Sequence, residues 1–312
     1  MLLSRVAGNL YWAGRYLERA EDTARIIRSY SDMIVDLPVS VMSSWEPLLA
    51  IAGATEAFDE VSEPADEASI VHFLVAETAN PGSVLMCVSQ ARENLRSTRE
   101  VLPREVWQTL NDLFLFAESH RHEGVGRRSR GRFLERVVGE SRRIDGMVMA
   151  TMNRDAAYEF LAVGQSLERA DMTTRVLGVH AAGLMAAGED TKTHVDVQWM
   201  SVLSSLSALH MYHRSTRSPV AGPDVVSFLL GDPAFPRSVS SCLTRLTHRL
   251  ERLPRANAVL PAVRAVEAEV ARVDPADTDG KTLDHAMDGL QLALGEVHER
   301  IVATYLLAPV TA

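Results

Sequence analysis

Apolar and polar residues follow each other along most of this chain with the period of an α-helix. In residues 5–36, for example, Leu10, Gly14, Leu17, Glu21 and Ala24 fall on one helical face. Similar patterns predict further helices over residues 81–98, 103–118, 132–150, 155–184, 195–213, 236–253, 260–273 and 281–307. No stretch alternates apolar and polar residues in the manner of a half-buried strand. The pattern therefore predicts an all-α protein built as a helical bundle.

The chain also resembles itself at a spacing of about 150 residues. Residues 10–27 read LYWAGRYLERAEDTARII, and residues 160–177 read FLAVGQSLERADMTTRVL. Further along, FLVAETANPGSV (73–84) aligns with FLLGDPAFPRSV (228–239), and Cys87 aligns with Cys242. These matches predict a duplicated chain, with a first helical unit over 1–150 and a second over 151–312. We expect the two units to pack together, with pseudo-twofold symmetry.

Two polar stretches interrupt the helical pattern and are predicted to be loops. Residues 55–67 are acidic, and residues 121–132 are rich in glycine and arginine. The arginines of residues 127–132 could contact an anion, although solvent exposure is the more common state of such a run.

The two matching segments share the motif L-E-R-A-[E/D]-x-T-x-R. In the first segment, helical spacing puts Glu18, Glu21 and Arg25 on one face and Arg19 on a neighbouring stripe. The corresponding residues of the second segment are Glu168, Arg169, Asp171 and Arg175. Apolar residues flank these charged groups, so we expect them to be partly buried and therefore paired.

Three roles are open for this charged cluster. It can be a buried ion-pair network that fixes how the units dock, or a polar pocket for a substrate or a partner's tail. A metal site is the third possibility, and it is the least favoured. Di-metal bundles of the ferritin type use Glu-x-x-His, whereas Glu21 and Asp171 occupy the histidine position here. We therefore predict no metal.

Gly14 and Gly164 lie one turn before the motif in each segment. A glycine inside a helix costs about 1 kcal/mol relative to alanine. Its presence at both positions predicts that another helix approaches closely there.

The two units differ in several polar residues, and these differences favour the first unit as the functional one. Tyr11 and Arg15 of the first unit are replaced by Leu161 and Gln165 in the second. A ligand-binding face would therefore include Tyr11, Arg15, Glu18 and Arg25.

A second difference lies in the segment ARENLRSTR. Arg92 and Asn94 of this segment have no equivalent in the matching residues 247–249, which read THR. These two residues are additional binding candidates, although a solvated charged helix face is the commoner explanation.

Composition and missing motifs limit the possible functions. The net charge of −9 argues against binding of nucleic acid or an anionic membrane surface. Two cysteines in 312 residues do not form a disulfide framework, and no signal peptide or membrane span is found, so we expect a cytoplasmic protein. The chain has no P-loop, dinucleotide fingerprint, nucleophile elbow, H-E-x-x-H or C-x-x-C, so no cofactor is predicted.

Several motifs in this order resemble the bacterial alpha-E domain family. They are LSRVAGNLYWAGRYLERAEDTAR, SWEPLLAIAG, NPGSV, ARENLRSTRE, WQTLN, LERADMTTRVL, the QW at 198–199 and FLLGDPAFPRSV. The resemblance covers almost the whole chain and implies an all-helical fold. It also implies an association with circularly permuted ATP-grasp ligases in systems that make or modify peptides or amides.

Two functions from different classes follow as hypotheses. The chain can be an accessory or substrate-binding partner of an ATP-grasp-type carboxylate–amine ligase, with a peptide or amino acid as the possible substrate. Alternatively, it can be a stand-alone enzyme that acts on a peptide or amide with a Glu/Arg active site between the units. An open pocket at the motif helices would favour the enzyme, and a closed, fully paired cluster would count against it.

Overall fold

The computed structural model describes residues 2–36, 44–61, 63–186, 195–276 and 280–307. Within these ranges every regular element is helical and no strand occurs, which confirms the all-α prediction. The helices are α1 (Ser4–Asp36), α2 (Glu46–Ala52), α3 (Thr55–Asp59), α4 (Glu67–Val75), α5 (Val84–Arg96), α6 (Arg104–Ser119), α7 (Arg121–Val125), α8 (Arg130–Thr151), α9 (Ala156–Ala186), α10 (Val195–Ser205), α11 (Leu209–Thr216), α12 (Gly222–Gly231), α13 (Val239–Leu250), α14 (Leu260–Arg272) and α15 (Gly280–Ile301). Short 3-10 turns cover Arg99–Val101 and Ala256–Ala258, and a π-helical segment, Val302–Leu306, continues α15.

The two motif helices, α1 and α9, pack against each other at the centre of the bundle. Helices α5 and α8 pack against α1, while α13 and α15 pack against α9. Helix α2 also contacts α9, and α10 contacts α1. Contacts are thus reciprocal between the halves, which agrees with the predicted duplication. The duplication and its division at residues 150 and 151 remain predictions.

The approach of α1 to α9 is closest at the two motif glycines. A Cβ atom added to Gly14 would overlap the carbonyl oxygen of Leu161, and one added to Gly164 would overlap that of Tyr11. The predicted close approach is confirmed, because only glycine lacks the atom that would separate the helices here.

Helices α5 and α13 begin later than the apolar pattern suggested, because a serine caps each of them. The Ser83 hydroxyl accepts a hydrogen bond from Met86 N–H (3.2 Å), and the Ser238 hydroxyl accepts one from Ser241 N–H (3.1 Å). The helices therefore start at residues 84 and 239, not at 81 and 236.

The prediction of a single helix over residues 195–213 was wrong. The chain forms α10 and α11 with a turn between them, where Ser207 adopts a left-handed conformation (φ 52°). The Ala208 N–H donates to the Leu203 carbonyl at 2.7 Å, which closes the end of α10. A serine with a left-handed backbone conformation cannot be recognised from the sequence, so the end of α10 was not predictable.

Both predicted loops contain helix. Residues 55–59 form α3, residues 121–125 form α7, and α8 already starts at Arg130. Arg130 is buried, since it pairs with Glu67 at 2.5 Å and stacks on the ring of Trp45. This arginine therefore has a structural role and is not a solvated loop residue.

Candidate functional site

The first of two charged clusters along the α1–α9 contact is centred on Glu168, and we call it the Glu168 cluster. Arg15 Nε donates to Glu168 Oε2 at 2.6 Å, and Arg19 Nε donates to Oε1 at 2.5 Å. The Glu168 side chain is 1% exposed. Both carboxylate oxygens therefore have a guanidinium partner from the opposite helix.

The Glu18 cluster is the counterpart on the other helix. Arg169 donates to Glu18 through both Nε (2.7 Å) and Nη2 (2.6 Å), which is a bidentate contact. Arg237, from the turn between α12 and α13, donates through Nη1 to the same carboxylate at 2.7 Å. Glu18 thus has two arginine partners, as Glu168 has.

Two further acids extend the Glu18 cluster. Arg237 also donates to Asp22 (2.8 Å) and to Glu21. Arg25 contacts Glu21 (3.4 Å) and Asp22. Arg142, from α8, donates through Nε to Glu21 at 3.0 Å. Three carboxyl groups therefore share four guanidinium groups in a largely buried space.

Burial and ion pairing act in opposite directions on these carboxyl groups. Burial alone would raise the pKa of Glu18, but Arg169 and Arg237 outweigh it and hold that pKa well below its usual range. Burial would also raise the pKa of Glu168, but Arg19 and Arg15 outweigh it, so that pKa is lowered. Both glutamates are therefore ionised at neutral pH.

Asp22 behaves differently from the two glutamates. Burial raises its pKa to about 7, and the arginines only partly offset this effect. The Asp22 Oδ2 and Arg25 Nη1 atoms are buried and have no hydrogen-bond partner among the described residues. Since several carboxyl groups here share the same arginines, a proton taken up by the cluster resides most readily on Asp22.

The second motif also forms its predicted local pair, because Arg175 Nε donates to Asp171 at 2.9 Å. Arg92 and Asn94 lie on α5 and make no contact with either cluster within the described ranges. Arg92 bonds Glu93 (2.6 Å) and Asn111 (2.9 Å), and its guanidinium stacks on nearby aromatic rings.

Beside the Glu168 cluster, aromatic side chains fill the edge of the α1–α9 contact. We call this region the filled side; it consists of Tyr11, Trp12, Arg15, Tyr16 and His298. The Tyr11 hydroxyl and His298 Nδ1 are 2.7 Å apart. Burial raises the pKa of Tyr11 to about 12 and lowers that of His298 to about 4. At neutral pH a neutral Tyr11 hydroxyl therefore shares this hydrogen bond with a neutral imidazole, and Tyr11 is the donor in the tautomer that leaves Nδ1 without a proton.

Beside the Glu18 cluster there is instead a small cleft, with a cavity volume of about 40 Å³ and about 430 Å³ when the space open to solvent at its mouth is included. Leu161 lines it at the position that matches Tyr11. Gln165 lines it at the position that matches Arg15. Smaller or uncharged side chains thus leave space on this side, which we call the open side.

The cleft has a charged floor and a polar wall. Its floor includes Glu18, Glu21, Arg169 and Arg237. Helix α8 contributes polar lining residues, namely Ser141, Arg142 and Asp145. The remaining lining includes apolar side chains, namely Leu17, Ile144, Val148 and Leu161.

Sequence reasoning missed three charged members of the site. Arg237 matches Gly82 in the aligned segments, and this difference in charge was a visible signal. Asp22 follows Glu21 directly and matches the apolar Met172. Arg142 carried no signal, because it lies in a helix outside both motifs.

The acidic groups Glu18, Glu21 and Asp22 are close enough for one atom of each to reach a common metal ion. The guanidinium of Arg237 already bonds all three carboxylates. The positive charge that a cation would supply is therefore provided by an arginine.

The described part of the chain contains no helix long and apolar enough to cross a membrane. No solved structure matches the chain significantly. Uncharacterized proteins from Mycobacterium bovis and from two strains of Mycobacterium tuberculosis are 23% identical over 336 aligned positions, covering 98% of this chain. The chain spans only 37% of the length of these relatives.

A family model described as a predicted α-helical domain with a conserved ER motif matches residues 2–306. Glu-Arg pairs stand at residues 18–19 and 168–169, in the two motifs whose carboxylates pair across the α1–α9 contact. With nearly all of its residues matched, the chain belongs to the Alpha-E family.

Proposed function

We propose that this chain is a binding module that works with an ATP-grasp-type carboxylate–amine ligase in the synthesis or modification of peptides or amides. The alpha-E resemblance supplies the class of partner. The cytoplasm, where ATP is available, is the compartment that this proposal requires. A peptide or an amino acid is the class of substrate that such a ligase uses.

The pairing of the motif carboxylates is the observation that carries the choice of binding over stand-alone catalysis. Glu18 and Glu168 each accept hydrogen bonds from two arginines, and their lowered pKa values leave them ionised. A general acid or base works best with a pKa near the working pH and needs free access to the substrate. Glu18 borders the cleft, but neither carboxylate has a pKa near the working pH.

The relatives add a second support. Because the chain covers 37% of their length, the same helical module occurs in those proteins together with other sequence. A module of this kind is suited to act beside another functional unit.

Affinity purification of the tagged chain from its bacterial host tests the proposal. We expect an ATP-grasp ligase to be recovered in stoichiometric amounts at low salt with ATP present, as identified by mass spectrometry. The purified pair should consume ATP with candidate acids and amines, whereas the chain alone should not hydrolyse ATP.

Two results would contradict this function. One is recovery of the chain without any ligase under these conditions. The other is turnover of a peptide or amide by the chain alone that disappears in a normally folded Glu18→Gln variant, which would favour the enzyme hypothesis instead.

A further inference from the structure

The cleft on the open side contains polar side chains that have no protein partner. The Ser141 hydroxyl is buried, with 7% of the residue exposed, and it makes no hydrogen bond with any described residue. Asp145, one turn further along α8, forms no ion pair or hydrogen bond with any described residue. The amide of Gln165, on α9, also has no partner in the described ranges. Of the three, only Ser141 is buried, and a buried hydroxyl normally has a hydrogen-bond partner. Asp145 and Gln165 are partly exposed, so their polar groups remain available to a ligand in the cleft.

The space itself results from differences between the two sides. On the filled side, the hydrogen-bonded Tyr11 and His298 occupy the edge of the helix contact. Leu161 matches Tyr11, and Val148 matches His298 when α8 and α15 are aligned from their first residues, Arg130 and Gly280. Both line the cleft, and they cannot form such a pair. The cleft therefore occupies the space that corresponds to the Tyr11 and His298 side chains on the filled side.

The charges around the cleft suit a carboxylate on one side of a ligand. Arg142, Arg169 and Arg237 line it. Although Glu18 and Glu21 use several of their donors, Arg169 Nη1 and Arg237 Nε bond no acceptor in the described part of the chain.

A second feature suits a positive group on the same ligand. Asp145 lines the cleft and forms no ion pair with any described residue, although Arg142 lies one turn away on α8. A ligand that carries both a carboxylate and an ammonium group could satisfy the arginines and Asp145 together. The apolar lining, Leu17 and Ile144 among it, favours an aliphatic remainder.

We propose that the cleft binds a free α-amino acid with an aliphatic side chain, whose carboxylate contacts the arginines and whose ammonium group contacts Asp145. This inference rests on the proposed function and names the substrate class that the module presents to the ligase. The Ser141 hydroxyl and the Gln165 amide complete the hydrogen bonds of the ligand. Leu17, Ile144, Val148 and Leu161 receive its side chain.

Calorimetric titration of the purified whole chain with L-leucine tests the inference without a ligase. We expect saturable binding at millimolar or lower concentration. N-acetyl-L-leucine lacks the ammonium group and L-leucinamide lacks the carboxylate, so each should bind at least about tenfold more weakly. Equal binding of all three compounds would overturn the assignment of the two charged ends. Absence of L-leucine binding at concentrations up to about 10 mM would overturn the site itself.

Matched variants locate the binding. Asp145→Asn and Ser141→Ala should weaken L-leucine binding by about tenfold or more in the first case and by less in the second. Arg143→Gln is the control, because Arg143 lies on the same helix and pairs with Glu140 at the surface. A loss of binding in Arg143→Gln equal to that in Asp145→Asn would contradict the site.

A double substitution, Leu161→Tyr with Val148→His, reproduces the filled side in the cleft. We expect it to abolish L-leucine binding while circular dichroism stays helical. Unchanged binding by this variant would place the amino acid elsewhere. Should the variant fail to fold, Asp145→Asn decides the question alone. Recovery of a ligase by the chain is measured without added amino acid, so failure of this inference and failure of the proposed function are distinguishable.

Discussion

The filled side and the open side of the α1–α9 contact use matching positions in opposite ways. On the filled side, Arg15 turns inward to Glu168, and aromatic rings cover the contact. On the open side, Gln165 stands in place of Arg15, and the second guanidinium on Glu18 comes instead from Arg237. Each glutamate has two arginine partners, and the cleft lies beside Glu18, on the open side.

This difference distinguishes features that stabilise the fold from features that could serve a function. Two arginines on a buried glutamate are common to both sides, so they are explained by the desolvation cost of the carboxylate. The cleft lies on the open side, where Ser141 and Asp145 have no partner among the described residues. Function is therefore to be sought at the open side, although the first-unit aromatic residues looked more informative in the sequence.

The largest effect is expected from breaking the helix contact that both sides share. Gly14→Ala should cost more than about 4 kcal/mol of unfolding free energy, because the new methyl group meets a backbone oxygen that cannot rotate away. Chemical denaturation monitored by circular dichroism measures the change, and failure to fold is the limiting result.

Gly8→Ala is the matched control in the same helix. A Cβ atom at Gly8 meets nothing within 4 Å, so the substitution should be neutral or should stabilise by up to about 1 kcal/mol. Similar stabilities for the two variants would show that α1 and α9 do not touch at Gly14.

The second prediction compares the two glutamates directly. Glu168→Gln should cost about 3–4 kcal/mol, because it leaves Arg15 and Arg19 without a carboxylate in a buried place. Glu18→Gln should cost about 2 kcal/mol, since Arg237 keeps Glu21 and Asp22 as partners. Urea unfolding of both variants measures the difference.

Glu296→Gln serves as the reference for an ordinary surface pair. Glu296 pairs with Arg300 at 2.6 Å, and both side chains are about half exposed, so the cost should stay within about 0.5 kcal/mol. A greater loss for Glu18→Gln than for Glu168→Gln would mean that the extra acids of the Glu18 cluster do not share its arginines.

These comparisons also show how much of the fold could be predicted from the sequence. The helices α1 and α9 were predictable, because apolar positions at helical spacing surround the repeated motif over many turns. The short helix α3 was not, since five residues are too few to show a period. The break at Ser207 depends on one backbone angle, which composition does not reveal.

The site was predictable within one helix and not between helices. Spacing alone suggested the Arg25–Glu21 and Arg175–Asp171 pairs, which the structure contains. The pairing of Glu18 with Arg169 depends on how α1 crosses α9, and the position of Arg237 depends on a turn distant in sequence. Tertiary contacts of this kind leave no local pattern.

The third prediction uses pH to weaken the filled side selectively. The pKa of His298 falls from an ordinary 6.5 to about 4 because of burial, so the unfolded chain binds more protons between these values. Stability should therefore decrease as the pH falls from 6.5 towards 4. The share of His298 should be on the order of 1 kcal/mol, since the half-buried ring remains partly solvated.

His298→Asn measures that share, because asparagine does not titrate and can still accept a hydrogen bond from Tyr11. His180 has a pKa lowered to about 4 by burial and is present in both proteins, so it cancels in the difference. Thermal unfolding of both proteins at several pH values between about 7 and about 4 gives the two profiles of stability against pH. Parallel profiles would contradict a neutral His298 in the folded protein.

The smallest and most local effect concerns the two buried thiols, one beside each cluster. Burial raises the pKa of Cys87 to about 12 and also raises that of Cys242, so neither should react with a thiol reagent in the native state. Cys87 lies in the field of Arg19 and Glu168, while Cys242 lies in the field of Arg169 and Glu18. Labelling therefore reports local opening of the filled side through Cys87 and of the open side through Cys242.

Single-cysteine variants, Cys87→Ala and Cys242→Ala, allow each rate to be measured separately. If the cleft binds L-leucine, a saturating concentration should slow labelling of Cys242 by about threefold or more and that of Cys87 by less, because ligand binding opposes opening nearest its site. Equal slowing would mean that both thiols become accessible only through global unfolding. Rapid labelling of either thiol without denaturant would contradict its burial in the α1–α9 core.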